Sequence, residues 1–304
     1  MPIIQTGCCI RTKRYLLLDQ QPPCAPISVC LTFLILPKTV IKMLEKLMKR
    51  DRMLVLASLI LVISLSWLYI FTGAAMNMDT PMSMPVSTKL ISPVTQWTPS
   101  YLLLMVFMWW VMMVAMMLPS AAPMILLFAA VNRKNQTEGR SFVPTGIFTA
   151  GYIVAWGGFS LLAVFLQWGL QRLTLLSPTM VTTSAYLGAA LLIAAGVYQL
   201  TPLKQACLRH CRSPFDFIAY HWRPSTMGAF RMGLEHGLFC LGCCWVLMAL
   251  LFYGGVMNLW WITGLALYVL IEKLAPAGPI FGRFTGVILI AWGVWVLAAA
   301  AISG

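Results

Sequence analysis

A chain of 304 residues that is 60% hydrophobic and only 10% charged, with a mean hydropathy of +0.85, carries more apolar side chain than one or two soluble cores can absorb. Its apolar residues gather into runs long enough to cross a hydrocarbon layer of about 30 Å, which excludes an ordinary soluble globule and makes the lipid bilayer its first partner. The net charge of +13 does not mark a nucleic-acid binder, because the basic residues sit between apolar runs instead of clustering on a polar face.

In chain order, residues 1–52 read as a cytoplasmic leader, partly disordered or preceding a true start near Met43. It holds Cys8, Cys9, Cys24 and Cys30, and its one apolar stretch, Ile27 to Leu36, is too short to span. It is not a signal peptide, since no adequate apolar core and no small-residue cleavage site follow the basic residues. Residues 53–302 form the expected transmembrane metal-binding domain. Its spans fall at about Met53 to Phe71, Tyr101 to Val131, Thr145 to Gly169, Pro178 to Leu200, Met232 to Phe252, Met257 to Ile271 and Phe284 to Ile302. The sixth is short. With these spans, all of the 21 Lys and Arg except Lys89 and Arg172 fall on the side of the N-terminus, and the positive excess belongs to the cytoplasm. The expected fold class is all-α, a polytopic transmembrane bundle of about seven helices with a cytoplasmic N-terminus.

Past the leader, the remaining cysteines and all three histidines are concentrated between the fourth span and the middle of the fifth. Cys207-Leu-Arg-His210-Cys211 lies in the fourth connection, on the side where thiols stay reduced. If the helix continues there, Cys207 and Cys211 share a face and His210 lies one turn from Cys207. Glu235-His236-Gly-Leu-Phe-Cys240-Leu-Gly-Cys243-Cys244 follows in the fifth span, with His236, Cys240 and Cys243 or Cys244 on one helical stripe. Ionisable residues inside a span are costly and face the bundle interior, which marks Glu235 and His236. Buried free cysteines are often only small hydrophobes, yet so many at helical spacing with an imidazole point to metal or redox chemistry. His221, beside Trp222 in a connection, reads as interfacial.

The 20 methionines bear on which metal. Met76, Met78, Met82 and Met84 crowd an external Pro/Ser/Thr loop, where thioethers can collect Cu(I) in a compartment that would oxidise cysteine. Along the second span run Met105, Met108, Met112, Met113, Met116, Met117 and Met124. Met112 and Met116 are the candidate ligands in this row, which serves as packing unless it faces the cysteine helix. Pro119 and Pro123 interrupt the same span, with Ser120 between them. Thiolates and thioethers favour Cu(I), while zinc is the second choice because it has little use for methionine.

The strings MWWVMMVAMMLPSAAPM, TPLKQACLRHCRSP, GAFRMGLEHGLFCLGCCWVLMALLFYGGVMNLWW and IEKLAPAG resemble those of a bacterial family of predicted metal-binding integral membrane proteins. That family is similar to the membrane copper chaperone encoded beside a bacterial tyrosinase. The resemblance covers about Met53 to Ile302. It implies a multi-pass protein of the bacterial inner membrane that supplies copper to a copper enzyme, its recipient partner. It carries over Cys207, Cys211, His236, Cys240, Cys243, Cys244, and Glu272 with Lys273. Taken by itself, the Glu272-Lys273 dipeptide reads as a snorkelling ion pair at a cytoplasmic helix end, with Glu272 also a candidate ligand.

The function expected is thus non-enzymatic copper(I) handling, as chaperone or permease. No nucleotide-binding GxxxxGK[ST] string is present. A rival reading is a membrane thiol-disulfide oxidoreductase using the Cys240/Cys243 pair, formally a CxxC. A haem protein is a weaker third, since only His236 lies within a span.

Overall fold

The computed structural model describes residues 53–72, 97–138, 142–177 and 180–303. The leader and the Met76 to Met84 cluster lie outside the described residues. Nine helices carry the description: α1 Met53–Thr72, α2 Pro99–Thr137, α3 Thr145–Arg172, α4 Ala185–Leu200, α5 Pro202–Arg212, α6 Pro214–His221, α7 Thr226–Ala249, α8 Leu259–Leu274 and α9 Gly278–Ser303. A four-residue turn, Leu251–Gly254, follows α7. The only extended pairing among the described residues is an isolated bridge between Leu176 and Thr182.

Polar residues at the helix starts set these boundaries. Thr98, Ser184, Thr201 and Ser225 each turn a side-chain oxygen onto the first free backbone N–H groups of the helix that follows, and Asn258 accepts from Trp260 and Trp261 N–H at 3.1 and 3.3 Å. Pro99 and Pro202 stand at the first helical position, where no N–H is needed. The fourth span therefore starts at Ala185, later than Pro178, and the connection before it is a loop. Pro119 and Pro123 leave α2 continuous. The carbonyl of Met117 at this point accepts from Ser120 Oγ at 2.8 Å and Tyr152 Oη at 3.1 Å.

Five helices are individually long and apolar enough to cross a membrane: α1, α2, α3, α7 with its following turn, and α9. A sixth is obtained if α4 and α5, bent by 65° at Thr201, count as one broken span. At 16 residues, α8 is about 24 Å long, short of a full hydrocarbon layer. The described residues carry an apolar exterior, with Leu103, Phe165, Phe284 and Trp295 all exposed, as lipid-facing surfaces require.

Helix α2 is central, with Trp109, Met113, Met117 and Leu118 fully buried. Helix α3 packs on α7 where glycines let the backbones touch: a Cβ at Gly233 would overlap the Phe148 carbonyl, and one at Gly151 the Phe230 carbonyl. Gly196 and Gly286 do the same between α4 and α9. Helix α5 lies across α7, and α8 packs on α2 and α9.

Candidate metal centre

The chain does continue as a helix after the fourth span, but only after the bend at Thr201. That bend lays the face of α5 carrying Cys207 and Cys211 on α7. Cys211 lies close enough to Cys240 and Cys243 to interact with them electrostatically. Cys207 rests on Gly242, its sulfur 2.9 Å from where a Cβ there would stand. It also lines an apolar cleft of about 320 Å³ with Tyr198, Leu203, Leu238 and Trp245. Cys240, Cys243 and Cys244 are all buried. Cys243 and Cys244 both donate to the Cys240 carbonyl oxygen at 3.0 Å, and Cys244 Sγ stands 3.9 Å from Met117 Sδ. The two sulfur motifs of the sequence thus adjoin, and the thioether beside the α7 thiols is Met117, one residue past Met116. Met112 and Met116 are buried in the same helix.

Two polar groups reach Cys240 from other helices. Lys273 Nζ donates to its sulfur at 2.9 Å and to Ser120 Oγ at 3.3 Å, and Tyr152 Oη stands 3.1 Å from the same sulfur. Lys273 is 6% exposed and Glu272 1%, so neither snorkels, and they do not pair with each other. Glu272 instead binds Lys204 of α5 at 2.5 Å, with Lys204 fully buried. Arg212, at the end of α5, donates to the carbonyls of Glu272, Ala275 and Pro276 at 3.1, 2.6 and 3.0 Å and so closes the C-terminus of α8. Three basic residues that sequence reading assigns to connections therefore serve internal contacts. A buried ammonium needs a compensating anion, and of the two acceptors of Lys273 the one that can ionise is the Cys240 thiol.

His236 is 3% exposed, packed against Phe148, Tyr152 and Phe217 at centroid distances of 6.2, 5.8 and 5.5 Å. Its Nδ1 has no hydrogen-bond partner among the described residues, an unusual state for a buried ring nitrogen. It lies one turn before Cys240 and shares Tyr152 with it. His210 is exposed, its Nδ1 directed at the Ala206 carbonyl at 2.9 Å and its ring stacked on Phe239 at 4.4 Å. His221 is similarly tied to Phe217. Glu235 reaches Arg223 at 3.1 Å in a partly exposed pair.

No group of three or more His, Cys, Asp or Glu side chains among the described residues stands in metal-holding geometry. The thiols lie within reach of one another but are turned into hydrogen bonds. Sequence reasoning passed over Met117 as a contact and Lys273 and Tyr152 as partners of Cys240. The one available signal was a lysine closing an otherwise apolar helix.

A family model described as PpoB2, copper chaperone, matches residues 106–296, a stretch that includes every sulfur named in the cluster. No curated protein and no solved structure matches the chain.

Proposed function

The chain belongs to the PpoB2 copper chaperone family, and from that premise we propose that it holds Cu(I) among Cys211, Cys240, Cys243, Cys244 and Met117 and hands it to a copper enzyme. The observations that carry this reading are that Cys211 of α5 adjoins Cys240 and Cys243 of α7 and that Cys244 of α7 stands 3.9 Å from the Met117 thioether of α2. Soft sulfur donors suit Cu(I), and zinc is again second because a thioether adds little for it. Rotation of the Cys243 and Cys244 side chains between staggered wells is enough to free their sulfurs from the Cys240 carbonyl. The bare Nδ1 of His236 and the sulfur of Cys207 flank the cluster as further donors. Lys273 supplies a positive charge that offsets thiolate ligation in a low-dielectric interior. His210 is left outside the ligand set. Glu272 serves to hold α5 through Lys204, and Met76, Met78, Met82 and Met84 act as an external collector.

The protein is proposed as a multi-pass component of the bacterial inner membrane with its N-terminus in the cytoplasm and α8 as a short seventh span. Setting aside Lys204, Arg212 and Lys273 as internal, the remaining Lys and Arg still favour that side. The test is metal analysis of purified protein: the wild type binds at least about one Cu(I) per chain, and Cys240→Ser/Cys243→Ser/Cys244→Ser binds about one fewer. Unchanged stoichiometry in the triple variant would sink the proposal.

The Lys273–Cys240 contact also suits a thiol-exchange reading, because an adjacent ammonium favours the nucleophilic thiolate. Cys243→Ser separates the two: a trapped mixed disulfide with a second protein selects exchange, whereas alkylation that a copper chelator must unmask selects copper.

A further inference from the structure

A second meeting of sulfur side chains lies at the other end of the bundle from α5. Met105, near the start of α2, and Met180, in the connection between α3 and α4, both point at Gln167 near the end of α3. Gln167 Nε2 stands 3.7 Å from Met105 Sδ and 3.5 Å from Met180 Sδ. All three are buried, Gln167 completely. The amide cannot be the other way round, because its oxygen accepts from the donor-only Nε1 of Trp109 at 2.8 Å. Both thioether lone pairs are therefore aimed at one small region.

Packing does not account for this arrangement. Thioethers are weak acceptors, so two of them are a poor return for burying an amide in an apolar core. Met180 also adopts φ 58°, a left-handed backbone conformation that side chains other than Gly and Asn seldom take. Such strain persists where the surroundings require the side chain in one place. Here the turn is closed by Met180 N–H on the Ser177 carbonyl and Ser177 N–H on the Val181 carbonyl, and it sets the Met180 sulfur beside Gln167.

We propose that Met105 and Met180 form a second soft-metal site, a two-thioether docking point for Cu(I) beside Gln167 and Trp109. The cation displaces the Gln167 N–H groups from between the sulfurs and takes over both thioether lone pairs. Met105 and Met117 are about 18 Å apart along α2. Met108, Met112 and Met116, all buried, follow Met105 at steps of three or four residues that bring neighbouring side chains together, and Met113, also buried, stands three residues before Met116 and four before Met117. The thioethers of α2 thus extend from the docking point toward the cysteine cluster, ending in two that adjoin, Met116 and Met117. It shares its cargo with the function proposed above but none of its ligands.

The test uses Ag(I), a redox-inert stand-in for Cu(I), on full-length protein with all nine cysteines replaced by Ala. Met105→Leu/Met180→Leu, which keeps side-chain volume, is expected to weaken Ag(I) binding at least about tenfold or remove one equivalent, while Met227→Leu at an exposed position changes nothing. Equal binding by the double variant and its parent overturns the proposal. If the cysteine-free protein does not fold, the same pair is replaced in the wild type. One fewer Ag(I) per chain is then expected, and an unchanged stoichiometry overturns the site. Loss of copper binding by the cysteine cluster alone would leave this difference intact, so the two readings fail separately.

Discussion

Replacing Lys204 by Met isolates the carboxylate of Glu272 in the interior. At 2.5 Å with both partners buried, the pair's gross attraction is about 7 kcal/mol at an effective dielectric near 20. Most of that offsets the cost of taking two ions out of water, so the pair adds little over an apolar replacement. Removing one partner is different, because the remaining charge keeps its desolvation cost with nothing to oppose it, at about 3–5 kcal/mol. A Lys204→Met variant is thus expected to melt on the order of 10 °C lower than the wild type. Glu272→Met should lose a comparable amount, and the double variant should recover most of either loss. Thermal unfolding of the four purified forms in one detergent, followed by tryptophan emission, reads out the cycle. If the double variant loses the sum of the two single losses, Lys204 and Glu272 are not coupled and the ion pair does not hold α5 to α8.

Two further predictions follow from the site and its scaffold. His236→Phe keeps the ring among Phe148, Tyr152 and Phe217 but removes the unpartnered Nδ1; it should weaken Cu(I) binding about tenfold in a chelator competition without lowering the melting temperature, and unaltered affinity would exclude His236 as a ligand. Gly233→Val places a branched side chain against the Phe148 carbonyl, so α3 and α7 must separate. Size-exclusion chromatography should then show aggregated protein, and a monodisperse variant with normal melting would disprove the close approach.

The long apolar spans were legible because twenty or so uncharged residues have few alternatives to crossing a bilayer. Even the shortness of α8 could be read from Met257 to Ile271. The helical stripe from His236 to Cys244 was equally plain, since periodicity fixes which residues of one helix share a face. Periodicity does not say which neighbour that face meets. Met116 and Met117 differ by one position, and only the tertiary fold turns Met117 to Cys244. The same limit applies to Lys204, Glu272 and Lys273. From sequence they are charges at the edges of spans, and their burial depends on partners 68 and 33 residues away. The bend at Thr201 is signalled only by Thr-Pro, which announces a new helix without giving its direction.

That bend divides the clustered thiols between two helices, with Cys211 carried by α5 and Cys240, Cys243 and Cys244 by α7. A metal ion bound to both acts as a clasp. By mass action, occupancy must tighten the seating of α5 by an amount that grows with the free metal concentration relative to its dissociation constant, and anything that draws α5 away must loosen the ion by the same amount. A recipient that competes for the surface of α5 would therefore extract copper without having to reach into the bundle.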